Sequence, residues 1–171
     1  MGEAEKREIL GRLREGHQVL LDAVAGISEA DAARKPSSEG WSVLDIVEHL
    51  GASEAILLHQ LRQAVPAGES REDRAREARF EGLALNRKRK IDAPEPVRPA
   101  GACGSLAEAL QRFEVVRGQT LTYVEEFEGD LRSWLVQHPL IARQVNCYEM
   151  LLLMALHPRR HAAQIAEGRQ R

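Results

Sequence analysis

Aromatic side chains are scarce in this chain, at 4% of 171 residues. A core with so few rings must rest on Leu, Ala, Val and Ile, a composition that favours helices over sheets. Cysteine is scarcer still. Cys103 and Cys147 are far apart and form no Cys-x-x-Cys pair. That argues against a disulfide framework or a thiolate zinc site, and points to reduced thiols in a cytoplasmic protein. Long apolar runs are missing too. The longest, Met150 to Leu156, is too short to span a membrane, and the opening MGEAEKREIL carries no apolar signal segment. No membrane partner is therefore expected. Neither sign of charge dominates, with 24 Lys and Arg against 26 Asp and Glu, so no basic field draws the chain to nucleic acid. No stretch shows the apolar–polar alternation of a strand, and no repeat is visible. The length suits one domain, spanning residues 1–171, with a single core.

What is present is helical periodicity. A first helix runs from about Glu3 to Ala25, with Ile9, Leu13, Val19, Leu20 and Val24 at helical spacings and Gly26 as its stop. Ser28 and Asp31 form a capping-box pair that starts a short turn before Pro36. A second helix starts at Ser42, with Asp45 three residues on, and carries Val43, Ile46, Val47, Leu50, Leu57 and Leu61 until Pro66 ends it. A third starts at Ser105, with Glu108 three residues on, and runs through Leu110, Phe113, Val116, Leu121 and Val124 to about Phe127. A fourth starts near Asn146 and ends near Gly168. It is apolar on every face from Met150 to Leu156, so it is buried on more than one side. Either a second subunit covers its outer face, which makes the chain a homodimer, or it is the central helix of a monomer.

Between the second and third helices lies a long segment, Pro66 to Gly104, holding four of the seven prolines and the basic run Arg87 to Lys90. One short helix, around Glu72 to Leu85, fits within it. The basic run reads as solvated loop, since no aromatic partners for nucleic-acid stacking stand beside it. Four helices with one long crossover describe an all-α four-helix bundle. If the crossover runs the length of the bundle, the second and third helices are parallel and the topology is down-up-up-down.

Six histidines are the chemically notable residues: His17, His49, His59, His138, His157 and His161. His157 and His161 lie four apart, on one helical face. Two such imidazoles can share a metal ion, or can be surface and capping residues. Pro158 sits between them. It denies the Met154 carbonyl its helical donor, a defect of about 3 kcal/mol or more in mid-helix, and predicts a bent but continuing helix. A metal site needs a third ligand. His49 lies about 10 Å from the start of the second helix, and His161 about 10 Å from the end of the fourth. In an antiparallel pair these three meet at similar heights, while His59 lies about 15 Å farther along. His49 sits on the flank of its apolar stripe, so periodicity alone leaves its direction open.

Three segments carry a family resemblance. GWSVLDIVEHL, IDAPEPVRP and HPLIARQVNCYEMLLLMALHPRRHAAQI together resemble the DinB-like superfamily of bacterial metal-dependent four-helix bundles, and the likeness covers most of the chain. The resemblance implies His49, His157 and His161 as the ligands of a divalent metal ion (nickel, zinc, iron or manganese) with water in the remaining positions. It implies homodimers. It also implies, as in some members, a thiol-dependent transferase using a low-molecular-weight thiol and a small electrophilic substrate. Two departures stand out: Pro158 follows the first helix-four histidine, and Ala142 and Arg143 occupy a turn that in the family contains glycine.

Other residues have assigned expectations. His138 reads as a turn or mouth residue and Trp41 as a hydrophobic staple before the Ser42 cap. Gln164 could orient a metal-bound water. Arg160 reads as an ion-pair partner, and Glu48 and Glu54 as candidate proton acceptors. The functional expectation is a metal-dependent thiol S-transferase or hydrolase. The alternative is a non-catalytic metal- or partner-binding bundle, favoured by the lack of a strong acid–base group beside the histidines.

Overall fold

Short polar residues precede the helices after the first, and in the computed structural model Ser28, Ser42, Asp73, Ser105 and Asn146 each cap a helix start. The structure describes residues 3–38, 40–70, 72–88, 92–139 and 144–169. The long helices are α1 (Glu3–Val24), α3 (Val43–Arg62), α5 (Leu106–Glu126) and α6 (Cys147–Arg169), with short α2 (Glu29–Ala33) and α4 (Arg74–Leu85) between them. Ser28 accepts from the Asp31 amide. Ser42 and Asp45 form a reciprocal capping box. Asn146 and Glu149 do the same, at 2.8 and 3.0 Å. Ser105 accepts from the Glu108 amide, while the first amides of α5, at Leu106 and Ala107, donate to the Glu29 carboxylate of α2. These caps satisfy donors that a helix start otherwise leaves open. Gly26, at φ +73°, takes the left-handed conformation that closes α1.

Residue pairs between helices fix the topology. Along α3 and α5, Gly51 lies beside Phe113, Glu54 binds Arg117, and the Leu61 carbonyl accepts from Tyr123, so both run the same way. Along α1 and α6, Gly16 meets Ala155 and Ala23 meets Arg169, also parallel. His17 of α1 faces Glu114 of α5 while Arg14 reaches Glu125, an antiparallel pair. The bundle is therefore down-up-up-down, as the sequence predicts. Gly16 is required where α1 crosses α6: a Cβ there would stand 2.2 Å from the Ala155 carbonyl oxygen.

Two buried clusters fill the interior. One lies among α1, α3, α5 and α6, around Leu13, Leu58, Val124 and Met150. The other lies nearer the histidine end, around Leu20, Leu50, Phe113 and Ile165. The expectation of no strands needs correction. β1 (Val65–Pro66), β2 (Trp134–Gln137) and β3 (Gln144–Asn146) form a small antiparallel sheet in the order β1-β2-β3. Strands of two to four residues are too short to display alternation, so the pattern could not reveal them. The turn at Ala142 and Arg143 lies outside the described residues.

The apolar run of α6 is explained within one chain. Besides α1 and α3, it packs against α4 from the crossover. Arg160 of α6 donates to the carbonyls of Ala84 and Asn86 at the end of α4, so this arginine caps a helix. A second subunit is not needed to cover that run, and the homodimer stays an expectation carried by family likeness.

Pro158 does not interrupt α6, which runs unbroken from Cys147 to Arg169. The Met154 carbonyl, deprived of its helical donor by the proline, accepts from the Arg117 guanidinium at 3.0 Å. Arg117 is 1% exposed and also binds both oxygens of Glu54 and the Leu13 carbonyl. One buried cation thus joins all four long helices. No helix among the described residues is long and apolar enough to cross a membrane.

Candidate metal centre

The start of α3 and the later part of α6 lie side by side, and they bring His49, His157 and His161 together. The Nε2 atom of His157 lies 3.2 Å from that of His49 and 3.0 Å from that of His161. Nitrogens bound to one ion at about 2.0–2.1 Å lie about 2.9 Å apart at a right angle and about 3.3 Å apart at a tetrahedral angle. These two separations fall between those limits, and the ligand atoms of the three rings all lie within 4.8 Å of one another. His49 is buried at 6% exposure and His161 at 7%, while His157 is half-buried. The flank position of His49 on its stripe thus still aims inward.

The outward nitrogens settle where the protons are. His49 Nδ1 lies 2.7 Å from the Val97 carbonyl oxygen, which can only accept, so Nδ1 carries the proton and Nε2 presents a lone pair. His161 Nδ1 lies 2.9 Å from Gln164 Oε1. The same oxygen accepts from Arg87 Nη1 at 3.3 Å, and a guanidinium can only donate, so this end of the amide is the oxygen. His161 therefore also holds its proton on Nδ1. Two bare lone pairs converge on His157 Nε2, which has at most one proton to share between them. Such a donor set fits a cation, and outward hydrogen bonds of this kind orient metal-binding imidazoles.

The surroundings favour neutral rings. Burial lowers the pKa of His49, against the raising effect of the Val97 carbonyl. Burial, then the charges of His161, His49, Arg160 and Arg117, hold His157 well below its ordinary value. Burial and the neighbouring His49 push His161 down to about 3. The metal-free protein should accordingly lose stability in acid. Unfolded imidazoles titrate near pH 6.5. Below that pH the unfolded chain binds protons that the folded chain refuses, so stability is complete above about 6.5 and declines beneath it. The slope is about 1.4 kcal/mol per pH unit for each histidine kept neutral. Chemical denaturation of metal-free protein between pH 8 and 5 checks this, and a flat profile would contradict it.

The other expected residues are placed as follows. Trp41 does more than staple a helix start: its ring stands 4.9 Å from that of His49 and 6.4 Å from that of His161, nearly parallel to the latter. Glu48 and Glu54 are committed elsewhere. Glu48 accepts from the amides of Ala100 and Cys103 in the crossover. Burial raises its pKa, but the four backbone donors around it outweigh that and leave it below the ordinary value. Glu54 is bound to Arg117 and Thr120. Neither is a proton acceptor for the histidine cluster. His138 is buried, not at a mouth, and burial lowers its pKa. His59 is exposed on the far part of α3 and pairs with Gln63. Of the basic run, Arg87 turns onto α6, and Arg89 and Lys90 lie outside the described residues. Sequence reasoning missed Val97, which acts through its backbone and leaves no side-chain signal, and Arg87, which was read as solvated.

Comparison with known proteins agrees with this architecture. The family model described as DinB superfamily matches residues 12–165. The protein YuaE of Bacillus subtilis (strain 168) is 23% identical over 146 residues, covering 85% of this chain and 88% of that one. The structure of YfiT from Bacillus subtilis, described as a probable metal-dependent hydrolase with an unusual four-helix bundle topology, superposes with a TM-score of 0.58 at 19% identity. It covers 99% of this chain and 89% of the other. TT2238, a four-helix bundle protein, gives 0.61 at 20% identity, over 95% and 98% of the two chains.

Proposed function

The chain belongs to the DinB superfamily, and on that premise we propose that His49, His157 and His161 hold one divalent metal ion in an enzyme of the hydrolase or thiol-dependent S-transferase type. The observation that carries this reading is the convergence of three Nε2 atoms whose partners on the outer side, Val97 and Gln164, leave lone pairs facing inward. Imidazole donors suit nickel, zinc and iron, with manganese the harder alternative. Three neutral ligands leave both charges of the ion uncompensated, so a bound ion supplies strong Lewis acidity and lowers the pKa of a water or thiol. The chain's own residues hold the imidazoles neutral and aimed, and Trp41 covers one side of the cluster. The description of YfiT as a probable metal-dependent hydrolase supports the hydrolytic form. A low-molecular-weight thiol with a small electrophile is the transferase form, and a homodimer is the assembly proposed for either.

A second reading has its own observation. Glu48 and Glu54, the acidic residues flanking His49, are both bound elsewhere, as a non-catalytic metal-binding bundle would allow. Protein reconstituted with each metal and offered activated esters, or thiols with electrophiles, separates the two. Turnover that disappears on chelation and returns with metal is the expected result. One ion bound per chain with no turnover on either substrate set would establish the binding module instead.

A further inference from the structure

Val97 and Gln164 support their histidines in unequal ways. The Val97 carbonyl can only accept, so His49 has one possible tautomer there. Gln164 can present either end of its amide. With the NH2 group toward His161, the proton would move to Nε2 and an N–H would point into the cluster, where a lone pair is needed. The Gln164 oxygen is selected by its other neighbour, Arg87, whose Nη1 donates to it. Arg87 is itself anchored. Its Nε and Nη2 bind the two oxygens of Glu167, at 3.3 and 2.9 Å. The residue before it, Asn86, is gripped through its carbonyl by Arg160, next to His161 in the sequence. Asn86 Oδ1 also accepts from the Lys88 amide, closing the turn around Arg87.

We propose that Arg87 is a positioning residue that selects the tautomer of His161 by fixing the oxygen of Gln164 toward it. The proposal rests on the metal-centre reading for its purpose, though the tautomer itself can be read without metal. The crossover segment thereby sets the outward bonds of two of the three histidines, through Val97 for one and Arg87 for the other. A basic residue that looks like solvated loop in the sequence becomes part of the site's support.

The test uses the full chain and two readouts. In metal-free protein at neutral pH, nitrogen-15 NMR of His161 should show the proton on Nδ1. In the Arg87→Ala variant, a substantial Nε2–H population should appear, and zinc affinity measured by chelator competition should fall about tenfold. Arg87→Lys, which also can only donate, should restore most of both. The decisive control is Gln164→Glu. A carboxylate only accepts, so in that background removing Arg87 should change zinc affinity less than threefold. An unchanged His161 tautomer in Arg87→Ala would overturn the proposal, as would an equal affinity loss with and without Gln164→Glu, which marks a merely structural clamp. If wild-type protein binds no metal, the metal reading fails on its own, and the NMR result still decides the role of Arg87.

Discussion

Replacement of Arg117 by leucine is expected to destabilise the protein by about 3–5 kcal/mol. The side chain is 1% exposed and its partners are buried with it. Without the guanidinium, the Glu54 carboxylate is left buried with Thr120 as its donor among the described residues, the Met154 carbonyl loses its donor, and the Leu13 carbonyl loses the bond that supplements its helical one. At about 2–4 °C per kcal/mol for a chain of this size, the melting temperature should fall by about 6–20 °C. The cause can be separated from the general importance of a buried ion pair. Pro158→Ala returns a backbone donor to the Met154 carbonyl, so Arg117→Leu should be less damaging in that background, by about 1 kcal/mol, one hydrogen bond's worth. Denaturation of the four proteins in the cycle measures the difference. Equal losses in both backgrounds would show that Arg117 does not stand in for the missing N–H.

Metal affinity should respond most to His157→Ala. His157 is the imidazole that both others approach, at 3.2 and 3.0 Å. A structural zinc site with four ligands is worth about 10–16 kcal/mol, or about 2.5–4 kcal/mol for each ligand if shared evenly. Loss of one ligand should thus weaken binding roughly 100- to 1,000-fold. The metal-free variant should lose little stability, because the substitution also removes the crowding of lone pairs and a half-buried ring that resists protonation. The thermal stabilisation that metal confers on the wild type should shrink in proportion to the lost affinity. Titration calorimetry with zinc, paired with melting curves with and without metal, checks both statements. Undiminished affinity would remove His157 from the ligand set.

Much of this was legible in residue patterns, for reasons that the exceptions make clear. Helix starts at Ser42, Ser105 and Asn146 were readable because a cap is a local event, decided within four residues. The down-up-up-down order followed from the length of one connection, and the common height of the three histidines followed from the rise per residue. The stripe of α5 was only half legible. Its buried members are Leu106, Ala109, Phe113, Arg117, Thr120 and Val124. An apolar periodicity skips Arg117 and Thr120, because a charge at a core position reads as surface until its partner is known. That partner, Glu54, is on another helix 63 residues away. The proline inside the histidine pair read as a defect for the same reason, since its remedy lies on α5. The small sheet and the Val97 carbonyl escaped because they depend on backbone groups and on pairings distant in sequence. The short helix of the crossover was legible at about Glu72 to Leu85, but its packing on α6, and the hold that the residues after it have on two of the histidines, were not.

The central claim is that three neutral imidazoles, two of them turned inward with the help of the crossover, bind one ion. Crystals of protein loaded with nickel or zinc, measured at the absorption edge of that metal, test it most directly. The account predicts a single strong anomalous peak about 2.0–2.2 Å from Nε2 of His49, His157 and His161. No peak among these rings, or a peak at another place in the chain, would contradict it.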